Sequence, residues 1–474
     1  MKRFWLVLLS LGLVVAFSSS VFAADVKFSG SYYAAGMYLD DTTLEKDAAN
    51  HPSTSFYYQR LRVQTEFIAT PALKLVTRFD ALERIWGGPR SGAGVVPGVP
   101  YNLRWDYDSY GTRAENENIA FDWAYIRYAS KIGLWQVGIM EDGAWGTKFA
   151  DNARPEGKIT WLAPFGPVVV GAQIIKLAEN NQTALFTTTA SDQDIDKYQG
   201  FVIYNFKGGS VGLLGVFQKF HEGGFIPPLA GTATDILGGD LYILMPYLKA
   251  KFGPVAIEAE VDYAWGKMKW DNIPGASSVK IDNLQAYVDA VADLGMFYVG
   301  GTLAFIDGDK QSTRNKIEGG ILSGGRDWNP CLMMFNWDRF YWAGNIFGPT
   351  APVVGTLNNG APMSNAYFAQ LRAGVRPVAD LDIMASLSWA KAVRTPALNT
   401  VFATGNPAGV SIDLGNNKEY GYEVDVTATY RITNNLSYML GGAYWFVGDF
   451  YKGLGETQKV QDNYLLINKL TLTF

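Results

Sequence analysis

The chain has 474 residues, a formal net charge of −5 at neutral pH and only 18% charged residues, yet it contains 51 glycines, 26 tyrosines, 27 phenylalanines and 14 tryptophans. A negative chain of this composition is a poor partner for nucleic acid. Cys331 is the only cysteine, which excludes an internal disulfide and a C-x-x-C-H haem attachment. Abundant glycine and aromatic residues with few charges are typical of a membrane β-barrel with aromatic girdles.

The first 23 residues have the three parts of a secretory signal. Lys2 and Arg3 precede an apolar run over residues 4–17, and small residues lead to Ala23. The run is too short for a comfortable membrane helix, so we expect cleavage after Ala23, with an uncleaved anchor as the alternative. Cleavage changes the net charge to −7 and leaves residues 24–474 as one domain.

The mature chain has no run of about 18 apolar residues, so a membrane location requires a closed barrel. Its pattern is a long alternating strand, a short turn, a second long strand and a longer polar loop. Short turns are predicted near Pro71 and Ile132 and at residues 164–167, 207–210, 252–254, 293–295, 377–380 and 433–435. They pair sixteen strands, and terminal strands at 25–40 and 461–474 bring the total to about eighteen.

The rims of such a barrel differ, because short turns face the periplasm and long loops face outside. The longer loops are predicted at 87–116, 221–239 and 308–364. An even strand count places both termini at the periplasmic rim. A soluble β-sandwich is the alternative, but its strands average about five or six residues, and those predicted here are about twice as long.

The early strands carry a basic face. Over residues 54–81 the alternate apolar residues are expected to face lipid, so the residues between them face the lumen. The basic residues on this inner face are Arg60, Arg62, Lys74 and Arg78. Glu66 and Asp80 lie on the same face and reduce its positive charge. The strand at 365–376 adds Arg372 and Arg376 to the predicted basic lining.

Two other strands carry an acidic face. The strand at 255–265 directs Glu258, Glu260 and Asp262 inward, and the strand at 418–431 does the same for Glu423 and Asp425. Basic and acidic walls opposite one another would create a transverse field in a wet pore. The alternative is that these charges are simply solvated or paired.

The segment 308–364 is long for a loop and rich in aromatic residues. We expect it to be ordered, either folded into the lumen as a constriction or placed outside as a surface cap or oligomer contact. In the first case Trp337, Tyr341 and Trp342 would offer flat faces to sugars or aromatic solutes.

The last strand ends at Phe474, with Leu470 and Leu472 on the same face. A terminal aromatic residue on an alternating strand resembles the signal that outer-membrane barrels present to the barrel assembly machinery. We therefore expect Phe474 to be the assembly signal.

Two stretches resemble porins of the alginate-export type, which have eighteen strands. They are residues 119–149, with Asp122-Trp123-Ala124-Tyr125 and Gly143-Ala144-Trp145-Gly146, and the hairpin 421–448. The resemblance implies an eighteen-strand porin. That family binds a polyanion with a dense arginine ladder, whereas the lumen faces here carry both signs, which leaves polyuronate transport in doubt.

Enzyme signatures find little support. The letters G-x-S-x-G at 208–212 lie in a predicted hairpin and not at a strand-to-helix elbow. His51 and His221, the only histidines, are expected in loops, and Asp307-Gly308-Asp309 and Asp40-Asp41 offer too few ligands for a Ca²⁺ site.

The sequence therefore predicts an all-β, antiparallel, up-and-down barrel in the outer membrane of a Gram-negative bacterium. The expected function is passive diffusion of small hydrophilic solutes through a water-filled channel, without catalysis, cofactor or metal. Its expected partners are membrane lipid and the assembly machinery, and a homo-oligomer is compatible with the pattern. The alternatives are a sheath or docking ring for a partner such as a multihaem cytochrome, and an exporter of an anionic polysaccharide.

Overall fold

The structure is a computed structural model that describes residues 25–47, 51–86, 119–179, 194–225, 237–270, 278–310, 313, 315–344, 346, 362–395, 397–399, 411–413, 417–452 and 459–474. The expected signal peptide and the whole of the predicted loop 87–116 lie outside these residues.

Eighteen long strands, labelled β1 to β18 in chain order, account for most of the described residues. Their bounds are Asp25–Leu39, Thr54–Thr70, Leu73–Ile85, Ala120–Ser130, Gly133–Asp142, Arg154–Phe165, Val168–Ala178, Ile195–Phe206, Gly209–Phe225, Leu237–Phe252, Val255–Trp270, Val279–Leu294, Phe297–Ile306, Ala366–Val378, Leu381–Ala392, Glu419–Arg431, Leu436–Val447 and Asn463–Thr473. Shorter elements are the strand Lys316–Ile317, the hairpin Ala397–Asn399 with Ser411–Asp413, the helix α1 (Trp337–Ala343) and a 3-10 turn, Asp449–Lys452.

Each long strand pairs antiparallel with its neighbours in sequence, and β18 pairs with β1. The closing register places Leu472 opposite Tyr32 and Leu466 opposite Tyr38. Closure removes the free edges that an open sheet would expose. The prediction of an antiparallel up-and-down barrel with about eighteen strands is thus confirmed.

All eight predicted short turns are present, and they lie at one rim together with both ends of the sheet. The loop predicted at 221–239 is shorter than expected, because β9 continues to Phe225 and β10 begins at Leu237. His221 therefore lies in β9 and not in a loop. The alternation of apolar and polar residues along β9 is interrupted at Gly223 and Gly224. The sequence pattern therefore did not indicate that the strand continues.

The outer surface of the barrel is apolar. Leu303 and Leu371, for example, are 60% and 71% exposed. Near the long-loop rim, outward aromatic rings stack from β8 to β11 in the order Tyr198, Phe217, Tyr242 and Trp265, with centroids 6.0, 5.1 and 5.7 Å apart. Phe206, eight residues beyond Tyr198, lies near the other rim, about 26 Å away along the strand. This spacing matches the ~25 Å apolar band of membrane barrels.

No helix among the described residues is long and apolar enough to cross a membrane.

The largest buried apolar cluster lies inside the barrel, where two segments from the long-loop rim fold inward. The first is residues 143–153, between β5 and β6, and the second is residues 318–346, between β13 and β14. The cluster joins wall residues to inserted residues, among them Met37, Leu39, Phe149, Trp328, Met333, Met334, Trp342, Phe368, Tyr420 and Trp445.

Candidate functional site

The first inserted segment, residues 143–153, is anchored on β10 and β11. The Thr147 backbone N–H and Oγ1 donate to Oε2 of Glu260 at 2.8 and 2.7 Å. The Trp145 indole N–H donates to the Met245 carbonyl at 2.8 Å. Gly146 has φ +63°, and a Cβ there would lie 2.7 Å from the ring of Tyr247, so this close approach requires glycine.

Asp151 holds the shape of this segment. One of its carboxylate oxygens accepts the backbone N–H of Trp145 at 2.7 Å. Burial raises the pKa of Asp151 to about 7, against the lowering effect of that hydrogen bond. The carboxyl group therefore changes charge near neutral pH while it supports the fold of the segment.

The second inserted segment, residues 318–346, spans the lumen. Near its start, Asn283 on β12 donates to the Glu318 carbonyl and accepts the Leu322 N–H, both at 2.8 Å. Further along, the backbone N–H groups of Met333 and Met334 donate to Glu423 on β16 at 2.7 and 2.6 Å. These contacts fix the segment to two separated parts of the wall.

The two segments pack on each other. The Trp328 ring meets that of Phe149 at 5.0 Å, and the Asp327 N–H donates to the Asp151 carbonyl at 3.1 Å. Trp328 also contacts Tyr287 and Phe368, with centroids 5.6 and 5.8 Å away. The inserted residues therefore form one body inside the barrel.

Helix α1 lies within the second segment. Asn336 caps its first turn, because its side chain accepts the Arg339 N–H at 2.7 Å while its amide donates to the Cys331 carbonyl at 2.6 Å. Arg339 is 1% exposed and donates to the carbonyls of Met333 and Gly344. Burial lowers the pKa of Arg339 to about 10, and the nearby Glu423 carboxylate opposes that shift.

The three aromatic residues expected at a constriction all belong to α1. Trp342 is buried, and its ring meets that of Tyr58 on β2 at 4.5 Å. Trp337 and Tyr341 are half-buried, and the Arg326 guanidinium lies 4.4 Å from the centre of the Trp337 ring. Trp342 thus packs against the wall, and the other two leave only part of their rings open.

The basic residues of β2 and β3 lie on the inner face, each beside a carboxylate. Arg62 makes two hydrogen bonds to Asp80, at 2.7 and 2.6 Å, and a third at 3.3 Å to Asp122. Arg78 binds Asp122 at 3.0 Å, and its guanidinium lies 3.5 Å from the centre of the Trp123 ring.

The other four predicted basic residues are paired as well. These contacts are Arg60 with Glu83 at 3.4 Å, Lys74 with Glu66 at 2.9 Å, Arg372 with Asp289 at 2.7 Å, and Arg376 with Asp293 and Asp382 at 3.3 and 3.2 Å. Local pairing cancels most of the field expected between a basic and an acidic wall. Asp122 and Glu83, which contribute to this cancellation, were absent from the sequence prediction.

Of the five predicted acidic residues, four are covered by the inserted segments. Glu260, Asp262, Glu423 and Asp425 are 1%, 0%, 0% and 3% exposed. Glu258 remains open to the lumen, 3.8 Å from Lys249. Strand alternation correctly placed these carboxyl groups on the inner face of the wall. The inserted segments, however, cover four of them.

The carboxylates of Glu423 and Asp425 and the thiol of Cys331 each offer one atom within 4.8 Å of the others. Both oxygens of Glu423 already accept backbone N–H groups, and burial raises the pKa of Cys331 well above its ordinary value. This arrangement fits the docking of a loop better than the binding of a metal ion.

A cavity of about 200 Å³ remains between the inserted segments and the wall formed by β5 to β10. It is lined by Trp145, Lys158, Gln173, Lys197 and Gln199, among others. Lys158 lies 3.5 Å from one oxygen of Asp142, and Lys197 pairs with the other. Glu156 lies near both lysines and pairs with Arg154 at 3.5 Å. Three cationic groups therefore meet two carboxylates, and the cluster carries an excess positive charge.

The residues that line this cavity were not predicted from the sequence. Strand alternation does place them on the inner face, because Gln173 lies between the outward Ala172 and Ile174, and Gln199 follows the outward Tyr198. Nothing in the sequence indicated that the inserted segments would leave this part of the wall open.

Phe474 lies at the short-turn rim and is 50% exposed. Its backbone N–H and carbonyl exchange hydrogen bonds with Gly30 on β1, at 3.0 and 2.8 Å.

No protein-family model matches the chain, and no curated protein matches it. Several solved structures share the fold. The outer membrane protein opdK from Pseudomonas aeruginosa aligns with a TM-score of 0.50 at 11% identity, covering 95% of this chain and 99% of that one. OccK2 (OpdF) from the same organism also gives 0.50 at 11%, covering 95% and 97%. An anion-selective porin from Comamonas acidovorans gives 0.43 at 13%, covering 95% and 100%. The two alignments with a TM-score of 0.50 show that this chain shares the barrel fold of opdK and OccK2.

Proposed function

We propose that the chain is an outer-membrane porin, a water-filled channel through which small hydrophilic solutes diffuse passively. The observation that carries the proposal is a closed barrel with an apolar exterior and a polar cavity between the inserted segments and β5 to β10. Permeation along this part of the wall would depend on the width of the path and on the charges that line it.

The lining suggests which solutes pass most readily. Gln173 and Gln199 offer amide donors and acceptors that can replace water around hydroxyl groups. Lys158, Lys197 and Arg154 outnumber Asp142 and Glu156, which favours neutral and singly negative solutes over cations.

The decisive experiment is conductance of the purified protein in a planar lipid bilayer. Discrete ohmic steps that disappear after heat denaturation are the expected result. A folded barrel that inserts but stays electrically silent would contradict the porin proposal.

A sheath around a partner protein finds less support. The inserted body reaches from Tyr58 on β2 to Glu423 on β16 and to Glu260 on β11, and so occupies the lumen that a partner would need. Co-purification of a haem protein with a silent barrel would favour the sheath.

Assignment to the alginate-export type rests on the resemblance in residues 119–149 and 421–448. The pairing of Arg60, Arg62 and Arg78 with carboxylates favours small solutes over a polyuronate chain. Block of the channel by alginate oligomers at micromolar concentration would favour the exporter instead.

A further inference from the structure

The tripeptide Glu-Val-Asp occurs on two strands of the wall, at 260–262 on β11 and at 423–425 on β16. Strand alternation directs both carboxyl groups of each motif inward and the valine outward. All four carboxyl side chains are at most 3% exposed. Each motif therefore places two neighbouring acids in a buried site.

In both motifs the glutamate binds an inserted segment, Glu260 through one carboxylate oxygen and Glu423 through both. Glu260 accepts the backbone N–H and hydroxyl of Thr147, and Glu423 accepts the backbone N–H groups of Met333 and Met334. The next residue, Phe335, has φ +53°, which is a costly backbone conformation for phenylalanine. This conformation lies directly after the two N–H groups that point to the wall. Each inserted segment is thus docked on the glutamate of one motif.

Both motifs also use the aspartate in the same way. One oxygen of Asp262 accepts the Gln285 amide at 2.6 Å, and one oxygen of Asp425 accepts the Ser386 hydroxyl at 3.1 Å. The other oxygen, Oδ1, is buried without a donor in both residues. Each aspartate lies within hydrogen-bonding reach of the glutamate in its own motif.

Two buried carboxylates in contact cannot both be ionised without a compensating charge. Glu423 accepts N–H donors at both oxygens, so it is the ionised member of its pair. Glu260 accepts donors only at Oε2, and its Oε1, like Oδ1 of Asp262, is buried without a partner. We propose that Asp425 is protonated and donates from Oδ1 to Glu423, that Oδ1 of Asp262 and Oε1 of Glu260 share one proton, and that these shared protons hold the two inserted segments against the wall. Loss of the proton leaves two carboxylates in repulsion, and the segment undocks.

The surrounding charges do not replace the proton. Arg339 from α1 faces the pair on β16 and balances one negative charge, while Cys331 and Tyr451 are the other titratable groups there. The pair on β11 faces Asp151 from the inserted segment and has Glu258 beside it on the same strand face, and both add negative charge. Lys249 on β10 and the phenol of Tyr287 on β12 are the other groups that face it.

Cys331 provides a native reporter for the shared proton on β16. It is the only cysteine of the chain, it is 2% exposed, and it lies two residues before Met333. A polar thiol reagent reaches it only when the segment undocks. The experiment is the rate of Cys331 labelling in the full-length purified barrel, for wild type, Asp425→Asn and Glu423→Gln.

Asp425→Asn supplies an amide N–H in place of the shared proton, so Cys331 should be labelled as slowly in this variant as in wild type at neutral pH. Glu423→Gln places an amide N–H against backbone N–H groups, so Cys331 labelling in this variant should be about tenfold faster or more than in wild type. This is the ratio expected when about 1.4 kcal/mol of docking free energy is lost. On transfer to alkaline medium, wild type should accelerate more than Asp425→Asn, whose rise reports the chemistry of the thiol alone.

Equal acceleration of wild type and Asp425→Asn in alkali would overturn the shared proton. Faster labelling on addition of a chelator at neutral pH would also overturn it, because a metal ion would then bridge the pair. Fast labelling of Asp425→Asn at neutral pH, in a barrel that remains heat-modifiable, would show that both carboxyl groups are ionised. The inference does not depend on the porin proposal, since the labelling rate is measurable in a barrel that conducts no current.

Discussion

The charge selectivity of the channel should depend on Lys158 and Lys197. Neutralising both in a Lys158→Gln, Lys197→Gln variant changes the cluster around Asp142 from an excess positive to an excess negative charge. A unit charge about 4 Å from a passing ion contributes about 1 kcal/mol in a water-like dielectric, so the two changes together alter the energy of an anion by about 2 kcal/mol. Screening reduces this, and we expect roughly a tenfold change in the anion-to-cation permeability ratio at low ionic strength.

The assay is the reversal potential under a salt gradient across a planar bilayer. Lys219→Gln is the matched control, because Lys219 lies on the outer face of β9 beside Asp240 and should leave the potential unchanged. A heat-modifiable double variant with the wild-type reversal potential would refute the argument, and would place the selective part of the channel elsewhere.

Three further predictions concern assembly, orientation and pH. Deletion of Phe474 should lower the yield of heat-modifiable barrel in the membrane without affecting export, because the residue closes the seam with Gly30; normal yield on a quantitative gel shift would contradict this. On intact cells, an impermeant thiol reagent should label His51→Cys at the long-loop rim and spare Asn434→Cys in a short turn, while the reverse pattern would invert the orientation. Burial raises the pKa of Asp151 to about 7, so the folded protein favours the protonated carboxyl group. The contribution of Asp151 to folding stability is therefore full in acid and is lost as the pH rises from about 4 through about 7. Limited proteolysis of residues 143–153 should thus be faster at alkaline pH in wild type, and Asp151→Asn should remove that difference; an unchanged difference in the variant would exclude Asp151 as its source.

The wall could be predicted from the sequence because its rules are local. A strand has a period of two residues, so Arg372 and Arg376 were assigned to the same face without knowledge of any neighbour. Turn residues and apolar parity gave the number of strands for the same reason. The extra length of β9 was missed because Gly223 and Gly224 carry no side chain to continue the alternation.

The partners of the lumen charges could not be predicted, because they depend on the register between strands. Arg62 meets Asp80 across one strand pair, which is readable once the hairpin is known. Asp122 reaches both Arg62 and Arg78 through a bulge near Phe79 in the pairing of β3 with β4, and no local pattern reveals it. Covering of the Glu-Val-Asp motifs depends on segments more than 80 residues away in the chain.

An eighteen-strand wall encloses more space than its own side chains can fill, so the chain must either leave a wide pore or supply a filling. The inserted body is that filling, and its anchors decide where water remains. Glu260 and Glu423 fix it to β11 and β16, and Trp342 packs it against β2, which covers those parts of the wall. The wall of β5 to β10 stays open beside it. The arginines of β2 and β3 are paired with carboxylates, whereas Lys158, Lys197 and Arg154 outnumber Asp142 and Glu156. In the proposed channel, the excess charge that a solute meets is therefore that of the second cluster. Selectivity therefore depends on residues that were not part of the basic wall seen in the sequence.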